Sequence, residues 1–453
     1  MVYQSESVSY RGFTFFSPLD IGLSILGLVI LFMMIYAKRQ RNKDLEYYKY
    51  LIPAFSFKVL FALANAFFYI IVYEGGGDSI YYFEAALKLN NLFWVNTYGF
   101  FQELFQSPEV RNLYLNFTIE TGYPPRWIYD EEEGFFISKI ASVFAFFTFK
   151  SYILMSLIFA YITTLASWRL YEMVRSYRLH SDWHSALAIF FIPSLSFWCA
   201  GVSKDTVIFV AVCFLLVNLH KIISLNKDSS FRNWLVIFIC IFVLLQVRSF
   251  MIITVFVPLA LAYSARLSKK LQNQPFQKNA IKFLFAVGGI AVIFLFFQSE
   301  QAEEFAAEAS VISQDMATNP NYGTNRYDLG ITDYSPAGLI KALPVSIIAG
   351  FFRPYIWEAL STSLIINGIE SVILFYFTFR FLVNKNIFSR LKRILSSEFL
   401  VFSLYFSIIL AYFAGFTSIL FGVLVRFKAP VLPFLILVLT AHYIDEKRKL
   451  PDN

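Results

Sequence analysis

The stretch FRNWLVIFICIFVLLQVRSFMIITVFVPLALAY, residues 231–263, is apolar along almost its whole length. Its charged residues are Arg232, near the start, and Arg248. Continuous apolar runs of this length are typical of membrane-spanning helices, whereas half-buried strands alternate apolar and polar residues. Of the 453 residues of the chain, 58% are hydrophobic and 15% are charged, against about a quarter charged in soluble domains. The sequence therefore predicts an all-α, polytopic integral membrane protein.

Similar apolar runs recur along the chain and predict about eleven transmembrane helices within a single membrane domain, residues 1–453. The predicted spans are 18–37, 51–73, 150–171, 185–200, 205–224, 233–247, 249–264, 281–298, 360–383, 397–416 and 424–443. The segments 233–247 and 249–264 could instead form one long bent helix. The number of spans would then fall by one, and the predicted side of every later loop would be reversed.

The distribution of charge over the loops predicts an orientation. Basic residues cluster in alternate short loops, whereas two long loops, 74–149 and 299–359, are rich in acidic residues. Because loops on the cytoplasmic side carry an excess of Lys and Arg, both long loops and the N-terminus are predicted outside and the C-terminus in the cytoplasm. Composition favours the cytoplasmic (inner) membrane of a bacterium. The same spread of basic residues argues against nucleic acid as a partner, despite the net charge of +7.

The long loops contain segments that predict further helices. Residues 97–106 have the pattern of an amphipathic helix lying in the membrane interface. Residues 134–148 are apolar but short for a span, and 300–318 are predicted to be helical and acidic. The apolar segment 337–356 is too interrupted by Pro and Gly to be a secure span.

The first candidate site residue is Asp78, which follows glycines 75–77 directly after the second predicted span. Glycine allows a tight turn and a close approach of the backbone, so the carboxylate would be presented at the membrane boundary. Asp is also a favoured N-cap, and capping of the next helix explains the residue equally well.

Lys204 and Asp205 lie between two apolar runs, and Arg248 interrupts the quoted stretch. Ser203 or Asp205 could cap the following helix, and Lys204 could reach lipid headgroups. Charges at membrane depth are costly and by default suggest function. An inward-facing Arg248 suits phosphate binding.

The later candidates are Arg353 and Glu358, which could form an internal ion pair, and Arg426 and Lys428, which open the last predicted span. Two cations at the outer end of a span depart from the usual charge distribution, and an anionic ligand at that face would explain them. Glu370, inside another span, requires a partner or water.

In this threading the candidate residues lie at the outer face. Arg and Lys suit a phosphate or diphosphate ester, and a carboxylate suits activation of a hydroxyl group. A lipid-linked sugar phosphate meets both needs. The predicted partners are therefore a polyprenyl-phosphate or polyprenyl-diphosphate sugar, a glycan or lipid acceptor, and membrane lipids.

At these residues the chain resembles the GT-C superfamily of membrane glycosyltransferases. GGGDSIYYFEAA (75–86) is similar to the acidic site near the start of that family's first extracytoplasmic loop, and PSLSFWCAGVSKDTVIF (193–209) to the core of bacterial members. The resemblance covers residues 51–265. It implies a polyprenyl-linked donor, Asp78 as catalytic base, and Lys204, Asp205 and Arg248 facing the donor phosphate. The chain departs from the family in its extra first span, its single acid, and the lack of a large soluble domain after the last span.

Other functions remain open. The chain also resembles membrane polymerases and ligases of surface polysaccharides, which use lipid-diphosphate oligosaccharides; Arg248, Arg353 and Arg426 would then matter most. A lipid or oligosaccharide transporter and a structural subunit of an envelope complex are further alternatives. The sequence identifies no certain cofactor. Some relatives bind a divalent cation through two or more acids, and because Asp78 has no evident second ligand, a metal requirement stays undecided.

Overall fold

The computed structural model describes residues 8–10, 13–74, 76–224, 230–248, 250–271, 273–298 and 326–441, with short pieces between 307 and 318. Two short strands, Val8–Tyr10 and Phe13–Phe15, form an antiparallel hairpin, and nearly all other regular structure is helical. Eight helices among these residues are long and apolar enough to cross a membrane. The chain is therefore a polytopic helical membrane protein.

The eight candidate spans are Pro18–Arg41, Glu46–Val72, Tyr152–Ser176, Lys204–Ile223, Met251–Lys270, Leu364–Leu382, Glu398–Thr417 and Phe421–Thr440.

Among the described residues the α-helices are, in chain order, α1 (Pro18–Arg41), α2 (Leu51–Phe67), α3 (Asp78–Val95), α4 (Thr97–Phe105), α5 (Val110–Asn116), α6 (Arg126–Asp130), α7 (Glu132–Thr148), α8 (Tyr152–Ser176), α9 (Asp182–Phe190), α10 (Pro193–Trp198), α11 (Lys204–Ser224), α12 (Phe231–Val247), α13 (Met251–Lys270), α14 (Pro275–Phe297), α15 (Pro336–Lys341), α16 (Leu343–Phe352), α17 (Thr362–Leu382), α18 (Ile387–Ser396), α19 (Glu398–Thr417), α20 (Phe421–Lys428) and α21 (Leu432–Thr440). Short turns of other helix types extend α2 at both ends and join α20 to α21.

The chain forms two compact units. The first unit comprises residues 1–173 and 195–249, and the second comprises 174–194 and 250–453. In the first unit α3 packs along α7, and α11 packs against α12. In the second unit α19 is central and packs against α13, α16 and α21.

The two ends of the first unit can be followed along its helices. At one end α2 finishes, α3 and α11 begin, and α12 finishes; we call it the Asp78 end. At the opposite end α11 finishes and α12 begins; we call it the Lys221 end. A hydrogen bond from Arg248, which follows α12, to Asp205, near the start of α11, shows that these two helices run antiparallel.

The second unit contains a close helix crossing. A Cβ atom placed at Gly350 of α16 would lie 2.0 Å from the carbonyl oxygen of Ala411 in α19, and one at Gly415 would lie 2.0 Å from that of Ser346. The two helices thus meet backbone to backbone, which only small residues at the crossing allow.

The predicted count of about eleven spans is not confirmed. Residues 185–200 form two short helices, α9 and α10, because Pro193 cannot donate a backbone hydrogen bond and disfavours helical geometry at the residue before it. Residues 233–247 lie in the 17-residue α12, and 281–298 lie almost entirely within α14. Neither helix is among the eight. The alternative of one bent helix over 233–264 is wrong, because the backbone of Arg248 is extended, with φ −160° and ψ 108°.

Several segments of the two long loops are helical where the structure describes them. Residues 97–106 form α4, whose first turn is capped by Asn96, and 134–148 lie within α7. The segment 337–356 is divided between α15 and α16. Most of 300–318 lies outside the described residues.

Candidate functional site

The turn before α3 positions Asp78. Gly77 has φ +83°, a conformation that favours glycine, and a Cβ at this position would lie 2.9 Å from the ring of Tyr69. Gly77 is the N-cap, so Asp78 is the first residue of the helix and the capping hypothesis for it is wrong. Asp78 is half-buried. Gly75 lies outside the described residues.

Lys204, the first residue of α11, is surrounded by carboxylates. Its side chain is 9% exposed, and Nζ donates to Glu131 Oε1 at 2.5 Å and to Glu133 Oε2 at 2.9 Å. Both glutamates lie where α6 meets α7 and are about 40% exposed. Ser203 caps α11 by accepting a hydrogen bond from the Thr206 amide. The predicted phosphate-facing Lys204 is thus held by two acids of the first long loop.

Asp205 and Arg248 form a buried ion pair. Arg248 Nη1 donates to Asp205 Oδ1 at 2.9 Å, and their side chains are 8% and 0% exposed. The pair forms because α12 ends at Val247, which allows the extended Arg248 to turn toward the start of α11. Ser249, which follows, lies outside the described residues.

Gly134 connects the start of α3 with the acids around Lys204. A Cβ at Gly134 would lie 2.5 Å from Glu131 Oε2 and 3.0 Å from Tyr82 Cε1, so both side chains converge on this glycine. Tyr82 is four residues after Asp78 and therefore on the same face of α3. The first turns of α3 thus lie beside the carboxylates that hold Lys204.

We give the name Asp78 cluster to six of the charged residues at this end: Asp78, Glu131, Glu133, Lys204, Asp205 and Arg248. The cluster contains four carboxylates and two cations, so its formal charge is −2. Carboxylates in such a cluster suit the activation of a hydroxyl group. Within the part of the chain that the structure describes, no three His, Cys, Asp or Glu side chains converge to hold a metal ion.

The second unit brings Arg353 and Glu358 together, as one reading of the sequence proposed. Arg353 Nε lies 3.6 Å from Glu358 Oε1, and the Tyr355 amide donates to Glu358 Oε2 at 2.9 Å. The guanidinium also lies over the ring of Tyr327, with its Cζ 4.7 Å from the ring centroid. Arg353 Nη1 and the Tyr327 hydroxyl are buried without a hydrogen-bond partner. Burial raises the pKa of the Tyr327 hydroxyl, so it stays neutral and keeps its proton.

Lys428 is 1% exposed, and its ammonium donates to the Arg353 carbonyl oxygen at 2.7 Å and to Ser371 Oγ at 3.0 Å. The prediction that Lys428 binds substrate is not supported, because protein groups surround it. It joins the segment at Arg353 to α17. Arg426, also on α20, is half-buried. Glu370 finds the partner that it requires, since its Oε1 accepts from the Ser194 amide at 2.9 Å.

Within the predicted apolar spans, two buried charged residues were missed from the sequence. Lys58 of α2 is 2% exposed and its Nζ has no hydrogen-bond partner. Asp20, at the start of α1, lines a cavity of about 320 Å³, and its Oδ1 has no partner. Both residues are charged and lie inside predicted apolar spans, and this position in the sequence could have identified them as candidates.

Comparison of the chain with protein-family models, with curated proteins and with solved structures finds no match.

Proposed function

We propose that the chain is a membrane glycosyltransferase that transfers a sugar from a polyprenyl-linked donor to an acceptor hydroxyl, with Asp78 as general base. The observation that carries this proposal is the Asp78 cluster, in which Lys204 pairs with Glu131 and Glu133 and Arg248 pairs with Asp205 where the apolar helices of the first unit end. The polyprenyl tail would remain in the membrane while the sugar phosphate lies at that end.

In the proposed reaction Asp78 removes the proton from the acceptor hydroxyl. The acceptor oxygen attacks the anomeric carbon of the donor, the bond from that carbon to the phosphate oxygen breaks, and the lipid phosphate leaves with the bonding electrons. Inversion at the anomeric carbon follows. A general base of this kind typically contributes about 10²–10⁴ to the rate.

The proposed roles of the cations follow from their partners. Lys204 is held by two partly exposed carboxylates, which can move aside when a phosphate arrives, so it is the cation that we assign to the leaving group. Arg248 has a fully buried partner in Asp205, and we assign this pair to the support of the site.

The proposal is tested with purified, reconstituted protein and a panel of polyprenyl-monophosphate and polyprenyl-diphosphate sugars. The free lipid phosphate and the glycan product are followed by mass. We expect release of the free lipid phosphate with addition of one sugar per turnover. Absence of release from every donor of a panel that spans the common bacterial sugars would overturn the proposal and favour transport or a structural role.

A second candidate function is a polysaccharide polymerase or ligase that uses a lipid-diphosphate oligosaccharide. The observation that favours it concerns Arg353 and the neighbouring Tyr327. Arg353 Nη1 and the Tyr327 hydroxyl are both buried without a hydrogen-bond partner, and a diphosphate oxygen could accept a hydrogen bond from each. The product separates the two functions. A ladder of repeats or a glycan moved as a block, lost in Arg353→Lys and retained in Asp78→Asn, would establish the second one.

A further inference from the structure

A cavity of about 500 Å³ lies inside the first unit, between α7, α8, α11 and α12. Along most of its length the wall is apolar, formed by Phe144, Phe159, Val210, Phe214 and Val243 among others. It runs beside α11 from Thr206 to Lys221, which is about 22 Å at the helical rise of 1.5 Å per residue. One membrane leaflet contributes about 15 Å of hydrocarbon, so the cavity is long enough for one lipid chain.

The polar lining of the cavity is concentrated at the Lys221 end. Arg169, Lys221 and Arg232 lie there with the amide side chains of Asn218 and Asn233. None of the described residues that line the cavity is acidic. Glu172, outside the lining, pairs with Arg169 at 3.1 Å. The cavity therefore combines an apolar channel with a basic entrance.

The side of the cavity is accessible along α12. Ile239 lines it and is 48% exposed, and Phe238 and Phe242 beside it are exposed as well. Large apolar side chains exposed on an apolar helix of a membrane protein face lipid, so a lipid chain can enter along α12 without crossing water.

We propose that this cavity binds one chain of an anionic glycerophospholipid, with the phosphate headgroup held at Arg169, Lys221 and Arg232. Charge complementarity identifies the occupant: basic side chains at the end of an apolar channel match a phosphate joined to an acyl chain. The polyprenyl donor of the proposed reaction is a poor match, because that reaction places its phosphate at the Asp78 end, opposite the basic entrance. This lipid site is independent of the proposed transfer reaction.

The test is native mass spectrometry of the purified full chain, titrated with phosphatidylglycerol or with zwitterionic phosphatidylcholine. We expect one phosphatidylglycerol per chain to bind more tightly than phosphatidylcholine. Each basic residue near an anionic lipid strengthens attraction about fivefold, so Lys221→Gln with Arg232→Gln should weaken phosphatidylglycerol binding about 25-fold. Phosphatidylcholine binding should be unchanged.

The matched control is Arg41→Gln with Lys43→Gln, which removes two exposed charges at and just after the end of α1 that do not line the cavity. It should bind phosphatidylglycerol like the wild type. Ala211→Phe, which fills the cavity, should abolish binding of both lipids. Equal affinity for the two lipids in the wild type, or an equal loss in the control pair, would overturn the proposal, as would equal stabilisation of the chain by inorganic phosphate alone.

Discussion

At the scale of single residues, the contact between Asp205 and Arg248 bears on two roles that the sequence could not distinguish, phosphate binding and structural support of the site. An inward-facing Arg248 was predicted to hold a phosphate, but its guanidinium donates to the completely buried Asp205. Removing either residue would break a buried ion pair, which is strongly destabilising. The pair is therefore a candidate for support of the site, and a double-variant experiment decides it.

We expect Asp205→Asn to destabilise the protein by about 3–5 kcal/mol, because it removes the buried carboxylate with which Arg248 pairs. The double variant Asp205→Leu with Arg248→Met should recover most of this loss, as measured by thermal unfolding in detergent. If the pair only supports the site, sugar transfer recovers together with stability. Recovered stability without recovered transfer would instead give Arg248 a direct contact with the donor.

Glu103 of α4 gives a pH-dependent prediction. It is 2% exposed, and its carboxylate accepts hydrogen bonds from Asn116 Nδ2 at 2.7 Å and from the Tyr129 hydroxyl at 3.0 Å. Burial raises the pKa of Glu103 above its usual value of 4.5, and the two hydrogen bonds oppose this with smaller effects. Because the pKa is raised on folding, the protonated form stabilises the fold below pH 4.5, and this contribution disappears as the pH rises through the folded pKa.

Glu103→Gln resembles the protonated side chain, so at about pH 7 we expect a higher Tm for the variant than for the wild type. The difference should close as the pH falls toward 4.5. Glu120→Gln, an exposed acid of the same loop, provides the control and should show no such trend. A constant difference over this range would show that ionisation of Glu103 does not affect stability.

The sequence located the charged residues of the candidate site better than their partners. Lys204, Asp205 and Arg248 were identified because a charge in an apolar run stands out. Glu131 and Glu133 belong to a run of acids, and nothing in the sequence marks the two that reach Lys204 across about 70 positions. Pairings of this kind depend on tertiary packing.

At the scale of helices, the spans were predictable where an apolar run is long and unbroken, as in α1 and α19. The prediction failed at 185–200, where apolar composition continues through Ile192 and Pro193 although the helix does not. Hydropathy reports burial in lipid or protein alike, so it cannot distinguish two short buried helices from one span.

The crossing of α16 and α19 gives a prediction at this scale. Gly350→Ala introduces a methyl group where the Ala411 carbonyl oxygen already lies, so we expect a loss of about 1–3 kcal/mol or more. Gly288→Ala in α14 is the matched control, since a Cβ there has no atom within 4 Å. It should be neutral or slightly stabilising, because Ala favours helix. Equal unfolding temperatures for the two variants would contradict the close crossing.

At the scale of the whole molecule, the charge distribution predicts which side each loop occupies. The native cysteines, Cys199, Cys213 and Cys240, are buried and should not react with a membrane-impermeant maleimide. Glu120→Cys, in the first long loop, should be labelled in intact cells, whereas Lys43→Cys should require permeabilised membranes. The reverse pattern would invert the orientation and place the Asp78 cluster in the cytoplasm.

The most direct test of the proposed function compares Asp78→Asn with Asp130→Asn. Asp130 is an acid of the same loop, in a partly exposed pair with Arg126, and is not one of the six residues of the Asp78 cluster. Both variants are reconstituted, checked for wild-type unfolding temperature, and assayed for release of free lipid phosphate from the donor that the wild type uses. We predict that Asp78→Asn is at least about 100-fold slower, as expected for loss of a general base, while Asp130→Asn retains wild-type activity. Wild-type turnover by a correctly folded Asp78→Asn protein would contradict the proposed mechanism.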